Sequence, residues 1–214
     1  MQLSRNRIEA LTDGVFAVAM TLLVLDIKVP ELEPLATAEL PLKLLALWPK
    51  FLSYLISFVI LGVYWVGHHI QLSFIRRADR PLLWINVLFL LWVALVPFST
   101  ALLSEYAKTR IAIAVYGANL IAIGLTLALH WWYATTEARH VDPDIHPHLV
   151  RGALKRTLMA PVLYLIAIAL SFVRAEVSLI LYALVPILYI LPGRIDIHWG
   201  ARRHDKPIDQ DEIK

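Results

Sequence analysis

The sequence predicts an all-α integral membrane protein, a bundle of six transmembrane helices, and three observations lead to this fold class. Hydrophobic residues make up 59% of the 214-residue chain, whose mean hydropathy is +0.65. Charged residues make up only 17%, whereas a soluble globular domain carries about 25%. The apolar residues also form long segments, which are typical of helices that cross a bilayer. The chain has no cysteine, which excludes disulfides and thiolate metal sites.

Six apolar segments follow one another, at residues 10–29, 46–71, 82–104, 110–134, 156–173 and 176–192. Each of the first four is long enough to cross about 30 Å of hydrocarbon as a helix. The last two are shorter and are joined only by Arg174-Ala175-Glu176. This spacing favours a tight helical hairpin, with a single interrupted re-entrant element as the alternative. Residues 1–193 would form one transmembrane domain, followed by a cytoplasmic tail at 194–214.

Prolines mark the ends of several segments. Pro30, Pro34 and Pro41 interrupt the loop after the first segment. Pro81 opens the third segment, and Pro192-Gly193 closes the sixth. Proline is tolerated at a helix start and, with glycine, ends a helix. The predicted boundaries therefore rest on turn chemistry as well as on hydropathy.

The distribution of basic residues predicts the orientation. If the N-terminus is inside, 14 of the Lys and Arg residues fall in cytoplasmic segments and six fall outside. Cytoplasmic loops carry such an excess of positive charge. We therefore expect a multi-pass protein of the cell membrane, embedded in the lipid bilayer, with both termini in the cytoplasm. The first outside loop carries Glu31, Glu33 and Glu39, so the outer mouth beside the first helix should be acidic.

Several function classes receive no support from the chain. The loop at 137–155 carries residues that could bind a metal, but we interpret them as solvated; they are His140, Asp142, Asp144, His146 and His148. The charged tail mixes signs, so nucleic-acid binding is not expected. No membrane segment has a nucleophile–base spacing or an acidic metal motif. We therefore expect neither an enzyme nor a resident cofactor or metal.

Polar side chains within the apolar segments are the main candidates for a site. A carboxylate where hydrocarbon begins, as at Asp13, costs a few kcal/mol unless it has partners. The short connection between the second and third segments brings His68 or His69 and Asn86 to a similar depth, near the inner interface. These groups should therefore satisfy one another. We favour a structural network over a proton relay, because the last three segments hold no acids at intervals across the membrane.

Tryptophans near the predicted interfaces fit an aromatic belt. Trp65, near the inner end of the second segment, could in addition stack on Arg7 as a cation–π pair. The first helix has a purely aliphatic stripe, since five residues fall within about 60° on a helical wheel: Leu11, Val18, Leu22, Leu25 and Val29. Asp13 lies on the other side and Thr21 flanks the stripe. Taken alone, this stripe is typical of helix packing or of a lipid-facing surface.

The start of the first helix resembles a known signature. The sequence Arg-x-x-x-Leu-Thr-Asp-Gly, at residues 7–14, is similar to the Arg-x-x-x-Phe-Ser-Asp signature of the transmembrane protein 175 family of potassium channels, prokaryotic branch. Leu11 replaces the phenylalanine and Thr12 the serine, which keeps an apolar anchor followed by a hydroxyl. The resemblance extends to Trp65-x-x-His68-His69 and to Asn86 with Pro97-Phe98-x-Thr100.

This resemblance implies a homotetramer whose first helices converge on a central pore. The family constriction lies five residues after the aspartate, which is Val18 here, with further rings at Leu22 and Leu25 and a pore-flanking hydroxyl at Thr21. The same resemblance places Arg7 and Thr12 in the polar network with Asp13, and with the polar residues of the second and third helices: Trp65, His68, His69 and Asn86.

A potassium-permeable cation channel is the function that these expectations describe. The chain has no Thr-Val-Gly-Tyr-Gly carbonyl filter, so potassium should be favoured over sodium and other monovalent cations only modestly. Asp26 and Glu31 near the outer mouth could concentrate cations. The alternative function is a proton-coupled transporter or proton leak that uses Asp13 and His68 or His69.

Overall fold

The computed structural model describes residues 5–31 and 37–190. In these ranges the chain forms α-helices joined by short turns: α1 (Arg5–Leu22), α2 (Leu40–Ala46), α3 (Trp48–Phe74), α4 (Arg80–Ala94), α5 (Val96–Glu105), α6 (Arg110–Thr135), α7 (Pro147–Leu170) and α8 (Ala175–Ile190). Tighter 3₁₀ turns occupy Leu23–Asp26, Thr37–Glu39 and Thr136–Ala138. The predicted tail at 194–214 and its Pro192-Gly193 boundary lie outside the described residues.

The all-helical membrane architecture predicted from composition is confirmed. Within the described residues, five helical stretches are long and apolar enough to cross a membrane: Asn6–Asp26, Trp48–Phe74, Arg80–Glu105, Arg110–Ala138 and Pro147–Leu170. The helix Ala175–Ile190 is apolar but shorter. The count of six spans therefore stays a prediction.

The boundary predicted for the fifth segment is wrong, because α7 begins at Pro147 rather than near residue 156. The ring of His146 accepts a hydrogen bond from the backbone N–H of His148 at the helix start. Pro147 occupies the first helical position, where its missing N–H costs nothing. Hydropathy alone places the polar first turns of α7 in the preceding loop.

The third predicted segment forms two consecutive helices, α4 and α5, which are separated by one residue, Leu95. Pro97 lies in the first turn of α5. Because proline lacks a backbone N–H and its ring clashes with the preceding turn, it interrupts the helical ladder there. After the break, α5 packs against α6 and α3.

Helix α6 lies at the centre of the bundle and packs against α4, α5 and α7. Two of its glycines allow close approach. A Cβ on Gly124 would lie 2.5 Å from Cγ of Pro161, and a Cβ on Gly117 would overlap the hydroxyl of Tyr182. Helices α7 and α8 form an antiparallel hairpin, as the sequence predicts, in which the Ser178 hydroxyl donates to the Ala167 carbonyl at 2.7 Å.

The turn between α3 and α4 is tied to the loop after α6. The carboxylate of Asp79 caps α4 by accepting from the N–H of Leu82 at 3.0 Å, and it also accepts from the Tyr133 hydroxyl at 2.7 Å. His140 Nε2 lies 3.1 Å from the same carboxylate. The backbone N–H of Arg76 donates to the His140 carbonyl at 2.8 Å. We call this arrangement, Arg76, Asp79, Tyr133 and His140, the loop clasp.

Burial alone would raise the pKa of Asp79, but the hydrogen bonds from Leu82 and Tyr133 and the proximity of His140 outweigh it and lower that pKa. The prediction that the polar residues of the long loop are solvated is wrong for His140, which is buried in the clasp, and for Asp142, which forms an ion pair with Arg76. Asp144, His146 and His148 are exposed, as that prediction expects. In the described ranges, no group of three potential metal ligands comes together.

Candidate functional site

Helix α1 buries only one narrow face. That face consists of Ile8, Thr12, Phe16, Ala19 and, in the following 3₁₀ turn, Leu23. It packs against α3 and α4, where the ring of Phe16 lies 5.8 Å from that of Phe89. Val15 and Met20 are partly buried beside this face, whereas several apolar residues of α1 are left exposed on the surface of the protomer.

The aliphatic stripe predicted from the helical wheel is exposed. Its members have high exposed fractions: Leu11 51%, Val18 56%, Leu22 43%, Leu25 68% and Val29 84%. Helix α1 passes into a 3₁₀ turn after Leu22, so Leu25 belongs to a tighter helix than the wheel assumes. Leu25 nevertheless stays on the side of Leu22, because three residues make one turn of a 3₁₀ helix. An exposed apolar surface of this length must face lipid or another subunit.

The hydroxyl of Thr21 is satisfied within its own helix. It contacts the carbonyl oxygens of Ala17 at 3.0 Å and Val18 at 2.9 Å. Thr21 is exposed beside the stripe, as predicted. Its hydroxyl oxygen can accept a hydrogen bond from an outside group while its proton remains bonded to the backbone.

A first row of polar contacts runs along the exposed side of α1 and α3, and we call it the surface polar row. The indole Nε1 of Trp65 donates to Oδ1 of Asp13 at 2.8 Å. The Trp65 ring stacks on His69, with the ring centres 5.7 Å apart. His69 Nδ1 in turn lies 3.4 Å from Oε1 of Glu9.

A second row lies inside the bundle, and we call it the buried polar chain. His68 Nε2 and Asn86 Oδ1 are 2.8 Å apart, and Asn86 Nδ2 donates to Thr12 at 3.4 Å. The ring of His68 also lies 5.3 Å from that of His130 on α6. From there Gln71 continues the chain, contacting His130 Nδ1 at 3.4 Å. The amide of Gln71 then donates to Thr157 of α7 at 3.4 Å.

The single polar network predicted from the sequence is thus divided in two. His68 and Asn86 do bond to each other, but Asp13 bonds to Trp65. The predicted stacking of Arg7 on Trp65 is not what the structure has, because Trp65 stacks on His69. Arg7 lies six residues, or about 9 Å of helix, before Asp13, the residue to which the Trp65 indole is hydrogen-bonded. Arg7 is exposed near the start of α1.

His130 and Gln71 were not predicted as members of a polar network, although the sequence carries a signal for them. Both are polar residues within predicted apolar segments, and a polar side chain at that depth needs a partner. His130 is fully buried, with 0% exposure. The sequence around His130, at residues 129–132, does not reveal that α3 supplies its hydrogen-bond partner, Gln71.

A third polar group joins α3, α5 and α6 further along the bundle. The Ser57 hydroxyl lies 2.9 Å from that of Tyr116 and accepts from Thr100 at 2.9 Å. Asn119 donates to the Ser99 hydroxyl at 3.0 Å. The hydroxyl at Thr100, noted in the sequence, therefore has a structural partner.

At the opposite end of α1, the two acids of the predicted outer mouth differ. Asp26 accepts from the Ser104 hydroxyl of α5 at 2.5 Å, so this carboxylate already contributes to packing. Glu31 is exposed, and its backbone carbonyl accepts from Lys43 at 3.0 Å. Nearby, Lys50 and Glu105 form an ion pair at 3.0 Å.

Comparison with known proteins identifies several relatives. Residues 7–97 match the family model described as endosomal/lysosomal potassium channel TMEM175. The chain is 37% identical over 188 residues to a potassium channel of Streptomyces collinus, covering 86% of this chain and 90% of that protein. It is 42% identical over 180 residues to a potassium channel of Chamaesiphon minutus, covering 83% and 89%. The human endosomal/lysosomal proton channel TMEM175 is 30% identical over 169 residues, which is 73% of this chain but 32% of the human protein.

Solved structures show the same architecture. The crystal structure of a lysosomal potassium-selective channel TMEM175 homolog from Chamaesiphon minutus superposes with a TM-score of 0.78 at 39% identity, covering 87% of this chain and 96% of that one. A variant of the potassium channel MtTMEM175, solved with a nanobody fusion, superposes with a TM-score of 0.58 at 19% identity. The second likeness supports the fold alone.

Proposed function

The chain belongs to the TMEM175 family of channels, and from this premise we propose that it forms a potassium-permeable cation channel. In this proposal four copies assemble around a central axis and each contributes α1 to the pore. The observation that carries the proposal is the exposed aliphatic stripe of α1. Two relatives of the chain, from Streptomyces collinus and Chamaesiphon minutus, are named potassium channels. These names support the choice of potassium as the permeant ion.

The arrangement of α1 supports a role as pore helix. Its buried face holds it against α3 and α4, while the bond from Trp65 to Asp13 restrains its rotation from a second side. The stripe lies on the wheel opposite Asp13. Fourfold assembly with the stripe inward would stack Val18, Leu22 and Leu25 as three aliphatic rings. The tightest ring would lie at Leu22 or Leu25, because leucine is larger than valine.

Such rings would select ions by dehydration. An aliphatic ring offers an ion no polar group in place of its water, so it can gate by dewetting. Potassium is less strongly hydrated than sodium and loses less on passing the ring. The expected selectivity for potassium is modest. The hydroxyl of Thr21, beside Leu22, would offer one polar contact between the rings.

The proposed topology has six spans, both termini in the cytoplasm, and the end of α1 near Asp26 outside. The excess of basic residues in the predicted cytoplasmic segments supports it. Glu31, exposed at that end, would attract cations to the outer mouth.

A proton pathway is the second candidate, favoured by the two buried histidines and by the name of the human relative as a proton channel. The contact between His68 and Asn86 counts against it. His68 and Asn86 each lie six residues from the nearer ends of α3 and α4, so their contact runs from helix to helix at one level. A relay would need to continue along the membrane normal.

The experiment that tests the proposal is ion flux from liposomes that contain the purified protein. A potassium gradient should drive flux that exceeds the flux driven by a matched sodium gradient. Empty liposomes and an imposed proton gradient serve as controls. Absence of potassium flux, with protons still permeant, would replace the channel proposal with the proton pathway.

A further inference from the structure

A large groove lies between α3 on one side and α7 and α8 on the other, with α6 as its floor. Its volume is about 760 Å³, within the range of about 300–1,000 Å³ that small-molecule sites occupy. Along α3 the lining extends from Phe58 to Phe74, or about 24 Å of helix. The groove is therefore as long as a large part of the hydrocarbon layer.

The groove opens on the outer surface of the protomer. Four of its lining residues are themselves exposed there: Phe58 at 37%, Trp65 at 39%, Val66 at 47% and Ile190 at 62%. Because these helices cross the membrane, the opening faces hydrocarbon rather than water. An apolar opening at this depth is accessible to lipid.

The lining is not uniform along its length. Arg156 is the one charged residue among those that line it within the described ranges, and Gln71 and Thr157 lie at the same end. That end is formed by the C-terminal part of α3, the N-terminal half of α7 and the C-terminal end of α8. Toward Phe58 and Val59 the lining is apolar. A polar end and an apolar end match the two parts of an amphiphile.

The position of Arg156 is fixed by α8. Its guanidinium donates to the Tyr189 carbonyl at 3.1 Å, and the Tyr189 hydroxyl donates back to the Arg156 carbonyl at 2.6 Å. The positive charge is therefore held at the groove wall before anything binds. Arg151 and Lys155 are exposed on the preceding turns of α7, nearer the membrane surface, where phosphate headgroups lie.

We propose that this groove binds one anionic phospholipid per protomer, with an acyl chain along α3 and the phosphate near Arg156. Basic pockets between transmembrane helices recognise anionic headgroups in this way, and arginine suits a phosphate because of its forked donors. The site is separate from the proposed pore stripe on α1. It does not depend on the permeant ion. Under the proposed topology, the end of the groove at Arg156 lies in the cytoplasmic leaflet.

Native mass spectrometry of the detergent-purified full chain tests this. The probes are dioleoyl phosphatidylglycerol, which is anionic, and dioleoyl phosphatidylcholine, which is zwitterionic with the same chains. The wild-type protein should retain phosphatidylglycerol in preference to phosphatidylcholine. Arg156→Gln should reduce its retention about tenfold, the loss of one charge-assisted contact. The matched control Arg80→Gln removes an equal charge at the exposed start of α4, a helix outside the lining, and should leave the preference unchanged.

A second pair of variants tests the apolar part without touching Arg156. Gly62 lines the groove, and a Cβ there would meet no heavy atom within 4 Å. Gly62→Phe should therefore fold, fill the groove and lower retention of both lipids, while Gly62→Ala should retain them. Equal retention of the two lipids by the wild type, unaffected by Arg156→Gln and Gly62→Phe, would overturn the proposal.

Two other occupants would give distinct results, and each would overturn the lipid. If Gly62→Phe changes the oligomeric mass and leaves the lipid adducts alone, a second copy of the chain fills the groove. If deletion of residues 191–214 creates lipid binding that the full chain lacks, the tail is the occupant.

Discussion

The indole of Trp65 and the carboxylate of Asp13 are joined by a 2.8 Å hydrogen bond on a side of α1 away from the aliphatic stripe. This contact links α1 to α3 independently of the buried face around Phe16. It also satisfies a carboxylate at membrane depth with a neutral donor, leaving the histidines to other partners. The contact therefore orients α1 and does not resemble a step in proton transfer.

Asp13→Ala should lower the stability of the protein by about 1 kcal/mol, the usual net value of one such hydrogen bond, and should weaken assembly. Trp65→Phe removes the same bond from the other side. The double variant should therefore be less destabilised than the sum of the two single variants. Thermal unfolding and size-exclusion chromatography in detergent measure both effects. Strict additivity, or normal assembly with a specific loss of proton flux, would contradict this role.

Leu22→Asn and Val18→Asn should raise single-channel conductance and reduce discrimination between potassium and sodium. A polar ring wets the constriction and lowers the cost of shedding water. Single-channel current and reversal potential in planar bilayers give the result.

Two leucines serve as controls for this substitution. Leu23 is buried, with 2% exposure, so Leu23→Asn should impair folding by placing an amide in the core. Leu165, exposed on α7, should tolerate asparagine with unchanged permeation. Unchanged conductance and selectivity in variants at 18, 22 and 25 would remove α1 from the pore.

His68→Leu should destabilise the protein by about 1–3 kcal/mol, because it leaves the amide oxygen of Asn86 unpaired in the core. Asn86→Leu should cost a similar amount by orphaning His68. The double variant removes both polar groups and should recover part of this stability. The readout is the midpoint of thermal unfolding. A double variant as unstable as the sum would show that His68 and Asn86 do not depend on each other.

The loop clasp should respond to acid. The pKa of Asp79 is lowered below its ordinary value of 3.8, so its contribution to stability is present above that value and is lost as the pH falls through the lowered pKa. Asp79→Asn should cost about 1 kcal/mol near neutral pH, typical of a lost helix cap. The difference from wild type should shrink below pH 3.8. Melting temperatures measured across pH test this, with the exposed Asp144→Asn as the control.

Topology can be measured cleanly because the chain has no cysteine. Single cysteines at Leu42, which is 71% exposed, and at Asp144 should lie on opposite sides of the membrane. An impermeant thiol reagent applied to intact cells should label position 42 only. Labelling of position 144 without permeabilisation would reverse the proposed orientation.

The sequence by itself determined the class of the protein and the surface of its first helix. Hydropathy is a property of consecutive residues, and the helical period places Val18 and Leu22 on one side whatever surrounds the helix. The sequence motif around Asp13, at residues 7–14, was sufficient to identify the family. These features are local, so they could be read without knowing which helices touch.

The tertiary structure alone decided which polar groups meet. Sequence spacing predicted that Asp13, His68 and Asn86 lie at one depth in the membrane. The rotation of α1 and α3 about their axes decides that Asp13 bonds to Trp65 and that His68 bonds to Asn86. The pairing of His130 with Gln71 joins residues 59 apart in the chain, and the bond from Tyr133 to Asp79 joins residues 54 apart. The groove beside Arg156 is likewise lined by α3, α6, α7 and α8 together. Depth follows from local sequence, whereas the rotation of each helix is set by packing against its neighbours, and that packing decides the partners.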